Sequence, residues 1–150
     1  NLERVLFMPE FDDKKGTIIS LLSRALKGYD GFGIDRSRLN NRAQTLIETM
    51  RELTENHQDT DFYFIMGSDM VGYLSQHEDA VALAELVQLV GVQRPGFRTG
   101  TSLPILWVDV PQIAISSTGL REMMQQGITP QFLIPEAALE FIRERRLYGL

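Results

Sequence analysis

The chain has 150 residues, 43% of them hydrophobic, a formal net charge of −5 and no cysteine. That length and apolar content suit one domain with a substantial core and exclude a disordered chain. The charge argues against a broad basic field for nucleic acid, the lack of cysteine removes disulfides and thiolate metal sites, and no apolar run is long enough to span a bilayer.

Asn1 stands where a methionine would open a chain, and "NLERVLFMPE" does not read as a signal peptide, so the sequence is expected to start inside a longer or processed protein. "RVLFMP" (4–9) is a short apolar run closed by proline and predicts a buried strand. "TIISLLSRALKGY" (17–29) places Ile18, Leu21, Leu22, Ala25 and Leu26 at helical spacing. "GFGIDRS" (31–37) predicts a weak strand, and "RAQTLIETMRELTENH" (42–57) a second helix through Leu46, Ile47, Met50 and Leu53. "DFYFIMGSD" (61–69) predicts a strong strand that stops at Gly67, and "DAVALAELVQ" (79–88) a helix. "LVGVQRPG" (89–96) and "LPILWVDV" (103–110) predict two more strands. "STGLREMMQQG" (117–127) and "PEAALEFIRERRLYG" (135–149) predict the last two helices, the second with proline at its start. Strand and helix alternate throughout, which predicts an α/β fold with a mainly parallel sheet covered by helices on both faces. "TENHQDTD" (54–61) is a polar loop, and "GFRTGTS" (96–102) is a glycine- and threonine-rich one.

In such sheets ligands sit outside the carboxyl ends of the strands, so the loops that follow strands are the places to look. In "ISSTGLR" (115–121), Ser116, Ser117 or Thr118 can cap the helix through its hydroxyl. The free amides and dipole of the first turn attract an anion, and Arg121, one turn in, can reach back over the same turn. Such a cluster suits a phosphate, but a capped surface helix with a solvated arginine would look the same. In "IMGSDM" (65–70), Gly67 allows close approach of a ligand to the backbone, and Asp69 either accepts from ribose hydroxyls or caps the following helix. Arg94, at a strand end, either faces a phosphate or lies on the surface before a turn. The run "EFDDKK" (10–15) follows the first strand and reads as a solvated loop. His57 sits in a polar loop, and His77 either edges the Asp69 pocket or does nothing there. Two isolated histidines make a protein-built zinc site improbable, so no metal ligands are assigned.

Taken in order, these stretches resemble the bacterial nicotinate-nucleotide (nicotinic acid mononucleotide) adenylyltransferases of the nucleotidyltransferase superfamily. "RVLFMP", "FYFIMGSDM", "LVGVQRPGF", "ISSTGLR" and "LIPEAALEFIRERRLYG" carry the resemblance, which spans nearly all 150 residues. It implies a single Rossmann-like nucleotidyltransferase domain over 1–150 that moves the adenylyl group of ATP onto nicotinate mononucleotide, giving deamido-NAD and pyrophosphate. Gly67, Asp69, Ile115, Ser116, Ser117, Thr118 and Arg121 would bind ATP, and Arg121 would be the catalytic residue. His77 and Arg94 would lie on the mononucleotide side. Mg²⁺ would arrive on the phosphates, the partners would be small molecules rather than nucleic acid or membrane, and the location would be cytoplasmic, with oligomerisation left open.

The pattern departs from the family in several places. The family's glycine-rich turn followed by His-x-Gly-His, whose histidines contact the ATP phosphates, is absent from these 150 residues. It normally lies between the first strand and first helix, so the sequence is expected to lack that first strand–helix unit. A Pro-Pro-His-Lys-like stretch is here "EFDDKK", a Ser-Tyr-Thr-like stretch that contacts the nicotinate side in the family is "AQTLIET" (43–49), and a tryptophan that stacks on the pyridine ring falls near His77, all three on the mononucleotide side. A second reading is a non-catalytic relative that binds adenine nucleotide as a sensor or partner subunit. A third is adenylyl transfer to another phosphorylated acceptor.

Overall fold

A computed structural model describes residues 2–9, 15–39, 44–93, 100–111 and 113–150. Among them the apolar runs form five strands and the amphipathic stretches six α-helices, arranged as two compact units. The first unit comprises Asn1–Ala43 and Ala114–Leu150, and the second Gln44–Ile113. All strand pairing is parallel, as expected from the alternation, and the hydrogen bonds divide the strands into one two-stranded and one three-stranded sheet.

In the first unit, β1 (Val5–Phe7) pairs with β2 (Phe32–Ile34), and α1 (Lys15–Ala25) makes the crossover between them. The ladder extends past both ends: the Val5 amide donates to the Gly31 carbonyl at 2.8 Å and the Asp35 amide to the Phe7 carbonyl at 2.9 Å. α5 (Ser117–Gln125) and α6 (Glu136–Glu144) follow in the second stretch of this unit. α6 buries Ala138, Leu139, Phe141 and Ile142, the i, i+1, i+3, i+4 stripe that its sequence predicts. Each such large side chain removed from water is worth about 1.5–3 kcal/mol. α6 packs on α1, where the Arg24 guanidinium lies 5.0 Å over the Phe141 ring and 3.1 Å from the Glu144 carboxylate.

The helix ends show what periodicity alone misjudges. α5 stops because Gly127 takes φ +75°, and the amides of Gly127 and Ile128 turn back to the carbonyls of Met124 and Met123. That is a Schellman closure, which glycine adopts at least cost. α6 stops at Glu144, short of the expected 149. Arg146 and Tyr148 adopt φ +50° and +58°, which ends the helix although no glycine or proline marks the place.

In the second unit, β3 (Tyr63–Gly67), β4 (Gln88–Val92) and β5 (Ile105–Val108) form one sheet in that order. α2 (Leu46–Asn56) starts after its N-cap Thr45, later than periodicity suggests, because a capping box sets the boundary. The Thr45 hydroxyl accepts from the Glu48 amide at 3.3 Å and Glu48 accepts from the Thr45 amide at 2.7 Å. The Thr45 amide, and then its hydroxyl, hold the Glu48 carboxyl below its ordinary range. α3 (Ser68–Leu74) and α4 (Ala80–Leu86) link β3 to β4 and pack against the sheet; Val71, Leu74, Ala80 and Leu83 of these helices and Met66, Leu89 and Val90 of the strands are buried. Gly91 is required here for space: a Cβ would lie 2.6 Å from Trp107 Cζ3 and 2.8 Å from Ile105 Cγ2 on the paired strand.

Candidate functional site

The expected ligand-binding residues fall into two clusters, one in each unit, and each follows an extended segment that enters a helix. In the first unit, Ile115 and Ser116 lead into α5. Ser116 has φ −130° and ψ 150°, the extended geometry of an N-cap, and its hydroxyl accepts from the Gly119 amide at 3.1 Å. Of the three candidate caps, the structure selects Ser116. Ser117 and Thr118 are then the first two helical residues, and their amides point out of the helix start with no intrahelical acceptor.

Arg121 reaches back along the helix as the Cα–Cβ direction predicts: its Nη2 donates to the Thr118 Oγ1 at 3.3 Å. Ile115, Ser116, Ser117, Thr118 and Arg121 are all exposed. The first turn of α5 carries no acidic residue, whereas those of α2, α3 and α6 hold Glu48, Asp69 and Glu136. Helix dipole, open amides, hydroxyls and guanidinium therefore add with one sign at the start of α5. That combination fits an anion with several acceptor oxygens, such as a phosphate chain.

In the second unit, β3 ends at Gly67, which is the N-cap of α3 with φ −72° and ψ 158°. Any residue adopts that backbone, so turn geometry does not explain the glycine. Asp69 is not the cap; it lies in the first turn of α3 and is exposed.

His77 lies in the turn after α3, where its backbone is anchored twice: its amide donates to Leu74 at 2.9 Å and its carbonyl accepts from Ala80 at 3.1 Å. Its Nδ1 accepts from the Asp79 amide at 3.3 Å, so Nε2 is the ring nitrogen left to donate. The Asp79 carboxylate stands 3.7 Å from the same Nδ1. With Nδ1 used as an acceptor, we read that approach as a contact and not as a proton-sharing pair. The Tyr73 ring lies beside the imidazole, centroids 6.3 Å apart and tilted by 43°. Sequence reading passed over Tyr73 and Asp79.

Arg94 and residues 10–14 of "EFDDKK" lie outside the described residues. Thr45, in the stretch expected near the nicotinate, is occupied by the α2 cap. Among the described residues no group of three or more His, Cys, Asp or Glu is arranged to hold a metal ion. No helix there is long and apolar enough to cross a membrane. An open hollow of about 450 Å³ lies at the amino-terminal ends of β3 and β4, between Thr60–Tyr63 and Ala84–Gln88. Parallel sheets bind ligands at the other end, so the hollow is set aside.

A scan against family models gave no match. Individual proteins do match. A protein named "Probable nicotinate-nucleotide adenylyltransferase" from Streptococcus pneumoniae is 43% identical over 157 aligned residues, covering 98% of this chain and 75% of the relative. One of the same name from Streptococcus mutans is 40% identical over the same shares of both chains. Among solved structures, the Plasmodium falciparum nicotinic acid mononucleotide adenylyltransferase complexed with NaAD covers 97% of this chain and 82% of its own, with a TM-score of 0.68 at 13% identity. The same enzyme complexed with APC gives a TM-score of 0.69 at 14% identity. At that identity the structures speak for a shared nucleotidyltransferase fold, while the streptococcal relatives decide the family. The chain belongs to the nicotinate-nucleotide adenylyltransferases.

Proposed function

We propose that this protein transfers the adenylyl group of ATP to nicotinate mononucleotide, giving deamido-NAD and pyrophosphate. The observation that carries this reading is the identity of 40–43% to named nicotinate-nucleotide adenylyltransferases across 98% of the chain. A phosphate oxygen of the mononucleotide attacks the α-phosphorus of ATP, the bond from that phosphorus to the β-phosphate oxygen breaks, and pyrophosphate leaves. No covalent enzyme intermediate is needed. The protein's work is then positioning and charge neutralisation.

In this reading Ser117, Thr118 and the open amides of α5 hold the triphosphate, with Ser116 keeping the first turn in place. Arg121 is the catalytic residue, neutralising charge that builds on the phosphates. Ile115 sets the extended approach to the cap. Gly67 lets the nucleotide lie close to the end of β3, and Asp69 accepts from ribose hydroxyls. His77 and Arg94 serve the mononucleotide side. The donors at α5 are hydroxyls, amides and a guanidinium, which suit phosphate oxygens and not a cation, so Mg²⁺ is expected to arrive on the triphosphate. When bound it neutralises charge there. The substrates are small and soluble, which suits a cytoplasmic protein, and residues 1–150 act as one nucleotidyltransferase domain that unfolds in a single calorimetric transition.

The test is to incubate the protein with ATP, Mg²⁺ and nicotinate mononucleotide and to measure deamido-NAD and pyrophosphate. Equal amounts of both products support the reading. ATP binding with no product would favour the non-catalytic nucleotide binder instead. The observations on that side are the altered mononucleotide-side stretches, with "EFDDKK" and His77 among them. Product formed only with another phosphorylated acceptor would keep the chemistry and change the substrate.

A further inference from the structure

We infer that the chain beyond α6 is a strap that fixes α5, with Gly149 as its positioning residue: the close approach of Gly149 to the last turn of α5 holds the far end of that helix, with its hydroxyls, amides and Arg121, in place. The inference rests on the reading above in one respect, that the start of α5 holds the triphosphate.

α5 is lightly held by the rest of its unit. Of its nine residues only Met124 is buried, whereas α6 buries Ala138, Leu139, Phe141 and Ile142. No other helix or strand packs extensively on α5. Met124 lies in the last turn, and that is where the strap arrives. After α6 the chain folds back on itself. The Arg146 amide donates to the Arg143 carbonyl at 3.0 Å, the Leu147 amide to the Ile142 carbonyl at 2.9 Å, and the Leu150 amide to the Leu147 carbonyl at 3.2 Å. Arg146, Tyr148 and Gly149 take φ +50°, +58° and +94°. A path with two non-glycine residues in the left-handed region is costly and persists only where its surroundings impose it. Here the end of α5 is part of those surroundings. A Cβ on Gly149 would lie 3.2 Å from the Gln125 Cα and 3.4 Å from the Met124 carbonyl oxygen. Both are backbone atoms, so neither can rotate aside as a flexible side chain does. From Gln125 back to Ser117 is about 12 Å along the axis, and the hydrogen-bonded ladder between them makes the helix a rod. A push at one end therefore moves the other, where contacts to a reacting phosphate tolerate little misplacement.

Gly28 supplies the control. It takes φ +88° just past α1 in the same unit, and a Cβ there meets nothing within 4 Å. Alanine at either position bears the cost of a left-handed backbone, but only at 149 does it also press on α5. Amide hydrogen exchange is followed by mass spectrometry across the chain, and ATP affinity by calorimetry, in the wild type, Gly149→Ala, Gly149→Asn and Gly28→Ala. The expected result is that both Gly149 variants exchange about tenfold faster in α5, with α6 as in the wild type. They bind ATP about three- to tenfold more weakly. Gly28→Ala lowers the thermal midpoint and leaves α5 exchange and ATP affinity unchanged. Asn visits the left-handed region more readily than Ala, so Gly149→Asn keeps the test open should Gly149→Ala fail to fold, and its Cβ still meets Gln125. Unchanged α5 exchange in the Gly149 variants overturns the inference. So does equal loosening of α5 in Gly28→Ala, which would make backbone strain alone the cause. If α5 loosens at Gly149 while ATP affinity holds, Arg121→Ala decides between two failures. Weakened ATP in Arg121→Ala then overturns the positioning role of Gly149, whereas unchanged ATP means that the placement of the triphosphate on α5, and not the strap, is wrong.

Discussion

The starts of α5 and α3 solve the same local problem with opposite means. Both take an extended chain into a helix. At α5 a side chain closes the turn: Ser116 accepts the Gly119 amide, and no acid follows. At α3 the cap is Gly67, which has no side chain to give, and Asp69 enters the first turn. The first end is therefore electropositive and rich in donors, while the second presents an acceptor beside bare backbone. A phosphate chain wants donors and a ribose hydroxyl wants an acceptor. The difference teaches that helix starts are not equivalent, and that the residues left over after capping decide whether a first turn offers donors or an acceptor.

This contrast can be broken by substitution, and the largest effect should come from the cation. Arg121→Ala is expected to weaken ATP binding by about 1.5–3 kcal/mol, the worth of a charge-assisted contact, with the thermal midpoint unchanged. ATP affinity measured by calorimetry checks it, and an unchanged value removes Arg121 from the site. Asp69→Ala should weaken ATP by about 1–2 kcal/mol, as a lost hydrogen-bond acceptor does, with little loss of fold. A large drop in stability with normal binding would give Asp69 a structural role after all.

Ser116→Ala should do the reverse at α5. It removes the cap and costs about 1 kcal/mol of stability in denaturant unfolding, whereas Ser117→Ala should cost little stability and act on ATP binding. If the two serines behave alike, the division between capping and binding hydroxyls is wrong. Acidification separates the caps further. Glu48 is held below its ordinary value by the Thr45 amide and hydroxyl, so its contribution is present above the unfolded value of 4.5 and is lost as pH falls through the lower folded value. The Ser116 cap has no titrating partner. The small acid-induced loss should therefore disappear in Glu48→Gln and persist in Ser116→Ala, as read from midpoints between neutral pH and the acid limb.

Much of the fold was legible in the residues. "FYFIMG" is β-branched and aromatic and forms β3; the Leu46, Ile47 and Met50 pattern forms α2; the stripe through Ala138 and Ile142 forms α6. Boundaries were less legible, because they depend on single conformations. Nothing in "RERRLYG" shows that Arg146 and Tyr148 take positive φ, and periodicity cannot see that Thr45 and Glu48 will pair. Of the candidate site, the hydroxyl–arginine cluster was legible because its spacing is local, all within one turn and a half of helix. The meeting of Tyr73 with His77 was not legible, because His77 lies beyond the end of α3.

The sequence by itself determined the α/β class, the approximate positions of most helices and strands, and the family, since hydrophobic period and short-range spacing are properties of the chain alone. Tertiary structure alone decided how the five strands divide between two parallel sheets, which serine caps α5, and that Gly67 is the N-cap residue of α3. It also decided that Gly91 exists for Trp107 and that Tyr73 meets His77. Each of these depends on the backbone path and on which groups it brings within hydrogen-bond or van der Waals reach, and spacing along a chain does not carry that information.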